Sequence, residues 1–183
     1  MIDIDLFLTK FINDPAGQHA AVDQFMIWVS SLGVPLLVAL VALQWWRRTD
    51  RSGVRHVLVA CGLSFLLGLG LNQLILLFIH RIRPYDAGVT HLLIPPSADW
   101  SLPSDHATAT MAIAATFLLH RMPRVGAAFL AASLLMMYAR VYVGIHYTGD
   151  VLAGAVTGAL AAFIVTKLYR QGTRLDRLIT GIF

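Results

Sequence analysis

An all-α integral membrane helical bundle, with about five transmembrane helices plus an N-terminal interfacial helix, is the fold class this sequence predicts. Three observations carry it. Of 183 residues, 57% are hydrophobic and only 13% charged, outside the usual balance of a soluble domain. The apolar residues gather at about residues 22 to 44, 54 to 79, 106 to 119, 125 to 143 and 151 to 167, each stretch near the roughly 20 residues that cross a ~30 Å hydrocarbon core. The basic residues collect in alternate connections, as they do when every second loop faces the cytoplasm.

The N-terminal segment MIDIDLFLTKFIND has no basic start, carries Asp3 and Asp5, and lacks a small-residue cleavage pattern, so it does not read as a cleaved signal peptide. Leu6, Phe7, Phe11 and Ile12 instead give a short helix an apolar face for the membrane interface. Arg47, Arg48, Arg51 and Arg55 lie between the first two spans, Arg121 and Arg124 between the third and fourth, and Lys167, Arg170, Arg174 and Arg177 after the fifth. These loops are cytoplasmic under the positive-inside rule, which puts the N-terminus, the 80 to 105 loop and the 144 to 150 turn outside. The third span is short and rich in alanine, so its polar ends call for burial in protein. On the fifth span Gly154, Gly158 and Ala162 suit a close helix contact, within the bundle or between subunits. Cys61, in mid-span, is a small packing residue.

No repeat or linker interrupts the chain, so residues 1–183 are read as one domain. The net charge of +4 resides mainly in the cytoplasmic loops, which favours membrane lipids as partners and no nucleic acid. Oligomeric state is left open.

Three polar clusters stand out against the apolar background, all on the outer side. Arg83-Pro84 closes the second span, because proline lacks the backbone N–H and pushes the preceding residue out of helical geometry. The guanidinium fork suits bidentate phosphate binding, although a lone arginine at a span end can simply snorkel. In SLPSDHATAT, Ser104 is a natural N-cap for the third span, and its hydroxyl with the free N–H groups of a helix start makes an anion site. His106, in the first turn, can donate a proton to a leaving oxygen. In ARVYVGIHYTGD, His146 and Asp150 are four apart and share a helix face, so the carboxylate can take one imidazole N–H and leave the other nitrogen as a nucleophile. Gly144 and Gly149 permit the tight outer turn. Arg140 lies six residues before His146, so the turn must bend the chain for both to meet one ligand. Ionisable groups gathered at one end of a membrane bundle mark a functional site by default.

The clusters LLFIHRIRP, PSDH and ARVYVGIHYTGD resemble the KxxxxxxRP, PSGH and SRxxxxxHxxxD motifs of the type 2 phosphatidic acid phosphatase superfamily, integral-membrane branch. The resemblance covers roughly residues 20 to 170. It implies a phosphatase that needs no cofactor or metal, in which His146 attacks phosphorus to give a phosphohistidine, Asp150 orients it, and His106 protonates the leaving group and then activates water. Arg83, Ser104 and Arg140 would hold the phosphoryl oxygens as charge shifts in the transition state.

Three positions depart from the family pattern. Leu76 stands where the family has lysine, so one phosphate-neutralising charge is missing, with Arg81 or His80 the nearest cations to supply it. Asp105 stands where glycine is usual and puts a negative charge beside the anion site unless it turns to Arg81 or to solvent; Ala139 replaces the serine before Arg140. PSDH and the absent lysine resemble the bacterial undecaprenyl pyrophosphate phosphatase branch. That implies release of the terminal phosphate of undecaprenyl pyrophosphate at the outer face of the inner membrane, recycling the carrier for cell-wall precursors. Phosphatidylglycerophosphate, phosphatidate or a lipid A type substrate, or transfer of the phosphoryl group to another lipid, keep the same chemistry. A non-catalytic binding or transport protein is the alternative of another class, but a transporter would carry charges or broken helices near the midplane, where this chain has Leu, Val, Ala and Phe.

Overall fold

The computed structural model describes residues 3–47 and 50–182. Arg48, one of the basic residues of the first connection, lies outside the described residues. The chain forms α1 (Ile4–Asn13), α2 (Ala20–Leu43) ending in a short 3-10 turn (Gln44–Trp46), α3 (Arg51–Leu76), α4 (Asp105–Leu119), α5 (Pro123–Tyr142), α6 (Thr148–Leu168) and α7 (Arg174–Thr180), with no strand among the described residues. This is the all-helical bundle of a multi-pass membrane protein. By length and apolarity, α2 with its turn, α3, α5 and α6 are each able to cross a membrane.

The third stretch behaves differently, and its sequence explains why. α4 has 15 residues, about 22 Å of helix, and packs against α6, α5 and α3 rather than lipid. Ala107, Ala112, Ala114 and Phe117 are fully buried. Its buried threonines also find partners: Thr110 Oγ1 bonds the His106 carbonyl at 3.0 Å and lies 2.9 Å from Ser133 Oγ, and Thr116 Oγ1 donates to Ser64 Oγ at 3.0 Å. In lipid, where apolar burial gives little drive between helices, close contact between small residues holds such a core. Gly154 and Gly158 supply that contact, because a Cβ at either would strike the Ser104 or Thr108 carbonyl. The small-residue face of α6 therefore packs inside the bundle, onto α4.

α1 is amphipathic in an inverted sense. Phe7 and Phe11 are exposed, whereas Thr9 and Asn13 are buried in the protein. Asn13 Nδ2 donates to the Tyr142 carbonyl at 2.7 Å and the His91 carbonyl at 3.0 Å, and its Oδ1 accepts from His91 N at 2.7 Å. Ile12 turns inward against Tyr142 and Val143 rather than joining the apolar outer face.

One expected boundary is corrected. α3 ends at Leu76, not at the Arg83-Pro84 step, and residues 79–83 have no regular secondary structure. The apolar run LLFI gives no local reason to stop. Tertiary contacts supply it: Ser101 N donates to the Arg81 carbonyl at 2.9 Å, and leaving the helix lets Arg81 and Arg83 reach acceptors on α1, the loop that follows, the α5–α6 turn and α6.

Candidate active site

The 84–103 loop, the start of α4, the end of α5 and the α5–α6 turn meet at one end of the bundle. They enclose a cavity of about 90 Å³ lined by Arg83, Asp99, Asp105, His106, Arg140 and His146, with Ser97 and Pro103, several times the room a single water needs. The three sequence clusters are thereby brought together.

His146 sits in the turn, one residue before the α6 N-cap, so it does not share a helix face with Asp150 as the four-residue spacing predicts. Gly144 makes the turn possible, with a φ of +82° and the His91 carbonyl where a Cβ would stand. His146 Nδ1 lies 2.8 Å from the Ser101 carbonyl, and Asp150 Oδ2 is farther, at 3.6 Å. A carbonyl only accepts, so Nδ1 carries the proton and Nε2 keeps its lone pair. Burial pushes the His146 imidazole down to about 4, aided by the Arg140 and Arg83 charges and opposed by Asp150. The ring is neutral at pH 7, as a nucleophile requires.

Asp150 is fully buried and heavily coordinated. Its Oδ1 accepts from Arg81 Nη1 at 2.7 Å, and its Oδ2 from Ser101 Oγ and from Tyr147 N at 2.9 Å. Arg81 in turn donates to Asp5 Oδ2 at 2.6 Å and lies 3.8 Å over the Tyr147 ring. Asp5 Oδ1 accepts from Gly149 N at 2.6 Å, and Thr9 Oγ1 accepts from Thr148 N at 2.9 Å. α1 thus satisfies the free N–H groups at the start of α6 and braces the turn that carries His146. Burial would lower the Arg81 pKa, but the bond to Asp5 and the charges of Asp150 and Asp5 raise it above its ordinary value. With both carboxylates claiming it, Arg81 does not line the cavity, so it does not supply the charge that Leu76 lacks. His80 is exposed beside Trp100, ring centroids 4.9 Å apart.

Ser104 occupies the N-cap position of α4, but its hydroxyl makes no capping bond. It is buried without a partner among the described residues, and so is Arg140 Nε. Arg140 is fixed from behind by Nη1 donating to Ser30 Oγ on α2 at 2.9 Å. Buried donors left open are unusual and call for a ligand or another explanation. Asp105 turns neither to Arg81 nor to solvent: Asn72 Nδ2 holds its Oδ1 at 2.7 Å and also bonds Thr108 Oγ1 at 2.8 Å. Asn72, one helical turn below Leu76, is therefore the neighbour that accommodates this departure. The His106 side chain lines the cavity with no protein hydrogen bond among the described residues.

An apolar furrow leads away from the cavity. Asp105 and His106 also border a space of about 160 Å³ walled by Val34, Phe65 and Leu69. Phe65 is shared with a larger one of about 400 Å³ that continues between α2 and α3 toward Trp45.

The arrangement fits phosphate chemistry, and comparison with known proteins decides the family. The PAP2 superfamily model matches residues 57–174. The chain belongs to the PAP2 superfamily. It is a PAP2 lipid phosphatase, a hydrolase. Undecaprenyl-diphosphatase BcrC of Bacillus subtilis (strain 168) is 33% identical over 155 residues, covering 85% of this chain and 79% of that one. An undecaprenyl-diphosphatase of Sulfolobus acidocaldarius is 28% identical over 93% of this chain and 81% of its own. Among solved structures, Aquifex aeolicus LpxE superposes with a TM-score of 0.68 at 25% identity, covering 91% of this chain and 96% of that one. The first transmembrane PAP2 type phosphatidylglycerolphosphate phosphatase from Bacillus subtilis gives 0.69 at 22% identity, covering 93% and 87%, a likeness of fold alone.

Of the residues singled out in the sequence, Arg83, His106, Arg140 and His146 line the cavity, while Ser104 and Asp150 stand beside its lining residues rather than among them. The roles of Ser101, Asp5 and Asp99 were not visible in the sequence, Asn72 pairs with Asp105 rather than reaching for phosphate, and Arg81 serves Asp150 and Asp5 instead of replacing the missing lysine. Asp5 was visible as a carboxylate at the start of an otherwise apolar helix, but its partner Arg81 is 76 residues away.

Proposed function

We propose that this PAP2 phosphatase removes the terminal phosphate of undecaprenyl pyrophosphate at the outer face of the bacterial inner membrane. The observation that carries the reading is a single cavity in which His146, with Nε2 free, faces two arginines and His106, while Ser104 Oγ and Arg140 Nε stand open. The substrate class follows the relatives named undecaprenyl-diphosphatase. The furrow between α2 and α3 gives a polyprenyl tail an apolar path away from the site.

His146 Nε2 attacks the terminal phosphorus, and the bond to the bridging oxygen breaks. Asp150 and the Ser101 carbonyl hold the ring and favour the imidazolium-like charge that develops. His106 takes up a proton as the anionic substrate enters beside it, delivers that proton to the departing phosphate, and recovers one from the water that hydrolyses the phosphohistidine. Arg83, Arg140 and Ser104 stabilise the equatorial oxygens. Basic residues at the opposite end support an outer position for this site under the positive-inside rule.

The test is phosphate release by the purified protein in detergent from undecaprenyl pyrophosphate, with phosphatidate and phosphatidylglycerophosphate in parallel, a chelator present and His146→Ala as control. Chelator-resistant release that prefers the polyprenyl substrate and requires His146 is expected. Release mainly from glycerolipids would move the substrate and keep the chemistry; release unaffected by His146→Ala would remove the nucleophile.

A further inference from the structure

Arg83 is buried, with 4% side-chain exposure, and all three of its nitrogens are engaged. Three of its acceptors are main-chain carbonyls: Asp99 at 2.9 Å from Nε, Ile145 at 2.9 Å from Nη1 and Trp100 at 3.3 Å from Nη2. The fourth is the Asp99 carboxylate, whose Oδ1 lies 2.6 Å from Nη2. That carboxylate is 55% exposed and lines the same cavity as Arg140, His106 and His146.

We propose that the Asp99 carboxylate stands in for a phosphoryl group on Arg83, and that it must swing aside for the substrate to bind, so that Asp99 sets the affinity of the site for phosphate. The inference rests on reading the cavity as the phosphatase site and deepens it.

The pattern of bonds separates what stays from what moves. The three carbonyls keep the guanidinium in place whether or not the carboxylate is present, so the exchange breaks only the side-chain contact and leaves the pose of Arg83 unchanged. Asp99 belongs to the 84–103 loop, and its exposed side gives the carboxylate a solvated place to go. Ser97 Oγ donates to the same Oδ1, a second contact released in the swing. Burial works against the charge, but the bonds from Ser97 and Arg83 hold the Asp99 carboxyl below its ordinary value, so it is an anion at neutral pH.

Charge balance gives the exchange its purpose. Arg83 and Arg140 line one small buried cavity, and like charges there need an anion nearby. Asp105 is held by Asn72 and Asp150 by Arg81, which leaves Asp99 as the acidic side chain paired directly with a cavity arginine. A phosphoryl oxygen arriving on Nη2 brings its own charge, and two anions on one nitrogen repel. The carboxylate therefore competes with substrate and product alike: it weakens binding by the fraction of molecules in which Arg83 is already engaged, and it hastens departure of inorganic phosphate.

A residue that merely clamps Arg83 would have the opposite effect when removed, so the sign of the change decides. Binding of inorganic phosphate to full-length protein in detergent, read by phosphorus NMR, should tighten about tenfold in Asp99→Ala. KM for the lipid substrate should fall together with kcat as phosphate leaves more slowly. Asp99→Asn, which keeps the shape without the charge, and Ser97→Ala, which removes only the hydroxyl donor, should shift binding the same way by less. Unchanged or weakened phosphate binding in all three variants would overturn the proposal. Absence of phosphate binding in both wild type and Asp99→Ala would also overturn it. The lipid assay on wild type then tells whether the phosphatase reading falls as well: turnover without such binding spares it, and no turnover from any lipid removes it.

Discussion

Both ends of the bundle bury a histidine beside an aspartate, yet the two pairs are built for different work. At the end carrying α7, His56 Nδ1 meets Asp176 Oδ1 at 2.8 Å, and the ring stacks on Tyr169 with centroids 4.7 Å apart. Tyr169 Oη donates to the same carboxylate oxygen at 2.7 Å and Gly172 N to the other at 2.7 Å. The nearby cavity is bordered by Asp50 and His120, with no arginine lining it among the described residues. At the opposite end Asp150 stands 3.6 Å from His146, two arginines flank the cavity, and the buried polar atoms without a partner among the described residues, Ser104 Oγ, Arg140 Nε and Asn72 Oδ1, all lie in or next to it. A His–Asp pair alone says little. The open donors and paired arginines set the surroundings of His146 apart from the fastening between α3 and α7, and they are what support the proposed reactive role.

Exchanging one variant for its counterpart tests that contrast most severely. His146→Ala should lower turnover by about 10⁴-fold or more with the protein still folded, whereas His56→Ala should leave turnover per folded molecule near wild type; equal losses would erase the distinction. Within the reactive end, Arg140→Ala should cost about 10²- to 10³-fold in kcat, as loss of a transition-state donor does, measured by steady-state phosphate release. Arg81→Gln should cost about tenfold through the turn it braces, with a larger effect on kcat than on KM. At the fastening end Asp176→Asn should cost about 2 kcal/mol of stability, seen as an earlier midpoint on thermal or denaturant titration, with kcat preserved.

Acidity sharpens the comparison further. The proposed attack by His146 requires a neutral ring, and its pKa is depressed to about 4 chiefly by burial, so protonation would remove the nucleophile only as the pH falls toward that value. At pH 5.5 an ordinary imidazole would be about 90% protonated. The acid limb of kcat/KM should therefore lie below pH 5.5, and a limb near 6.5 would contradict the buried, neutral ring.

Much of this was legible in the residues, and the failures share a cause. The helices follow from apolar length, and Arg140, His146 and Asp150 from spacing within one short stretch, because local geometry decides them. The end of α3 was not legible: LLFI continues an apolar helix pattern, and the contacts of Arg81 and Arg83 with distant segments are what draw the chain out of the helix. The partners of Arg83 and Arg81 were hidden for the same reason. Asp5 and Asp150 lie 76 and 69 residues from Arg81, beyond any periodicity that a helix or strand imposes. The spacing of His146 and Asp150 suggested a shared helix face, but Gly144 and the α6 N-cap put a turn there, and a main-chain carbonyl accepts the imidazole N–H.

The central claim is that His146 attacks phosphorus, and trapping the intermediate tests it most directly. Protein quenched during turnover of substrate carrying radioactive terminal phosphate should hold a covalent label that survives alkali, is lost in acid and maps to His146. The account expects that label in wild type and its disappearance in His146→Ala. A label on another residue, or one that persists when His146 is replaced, would contradict it.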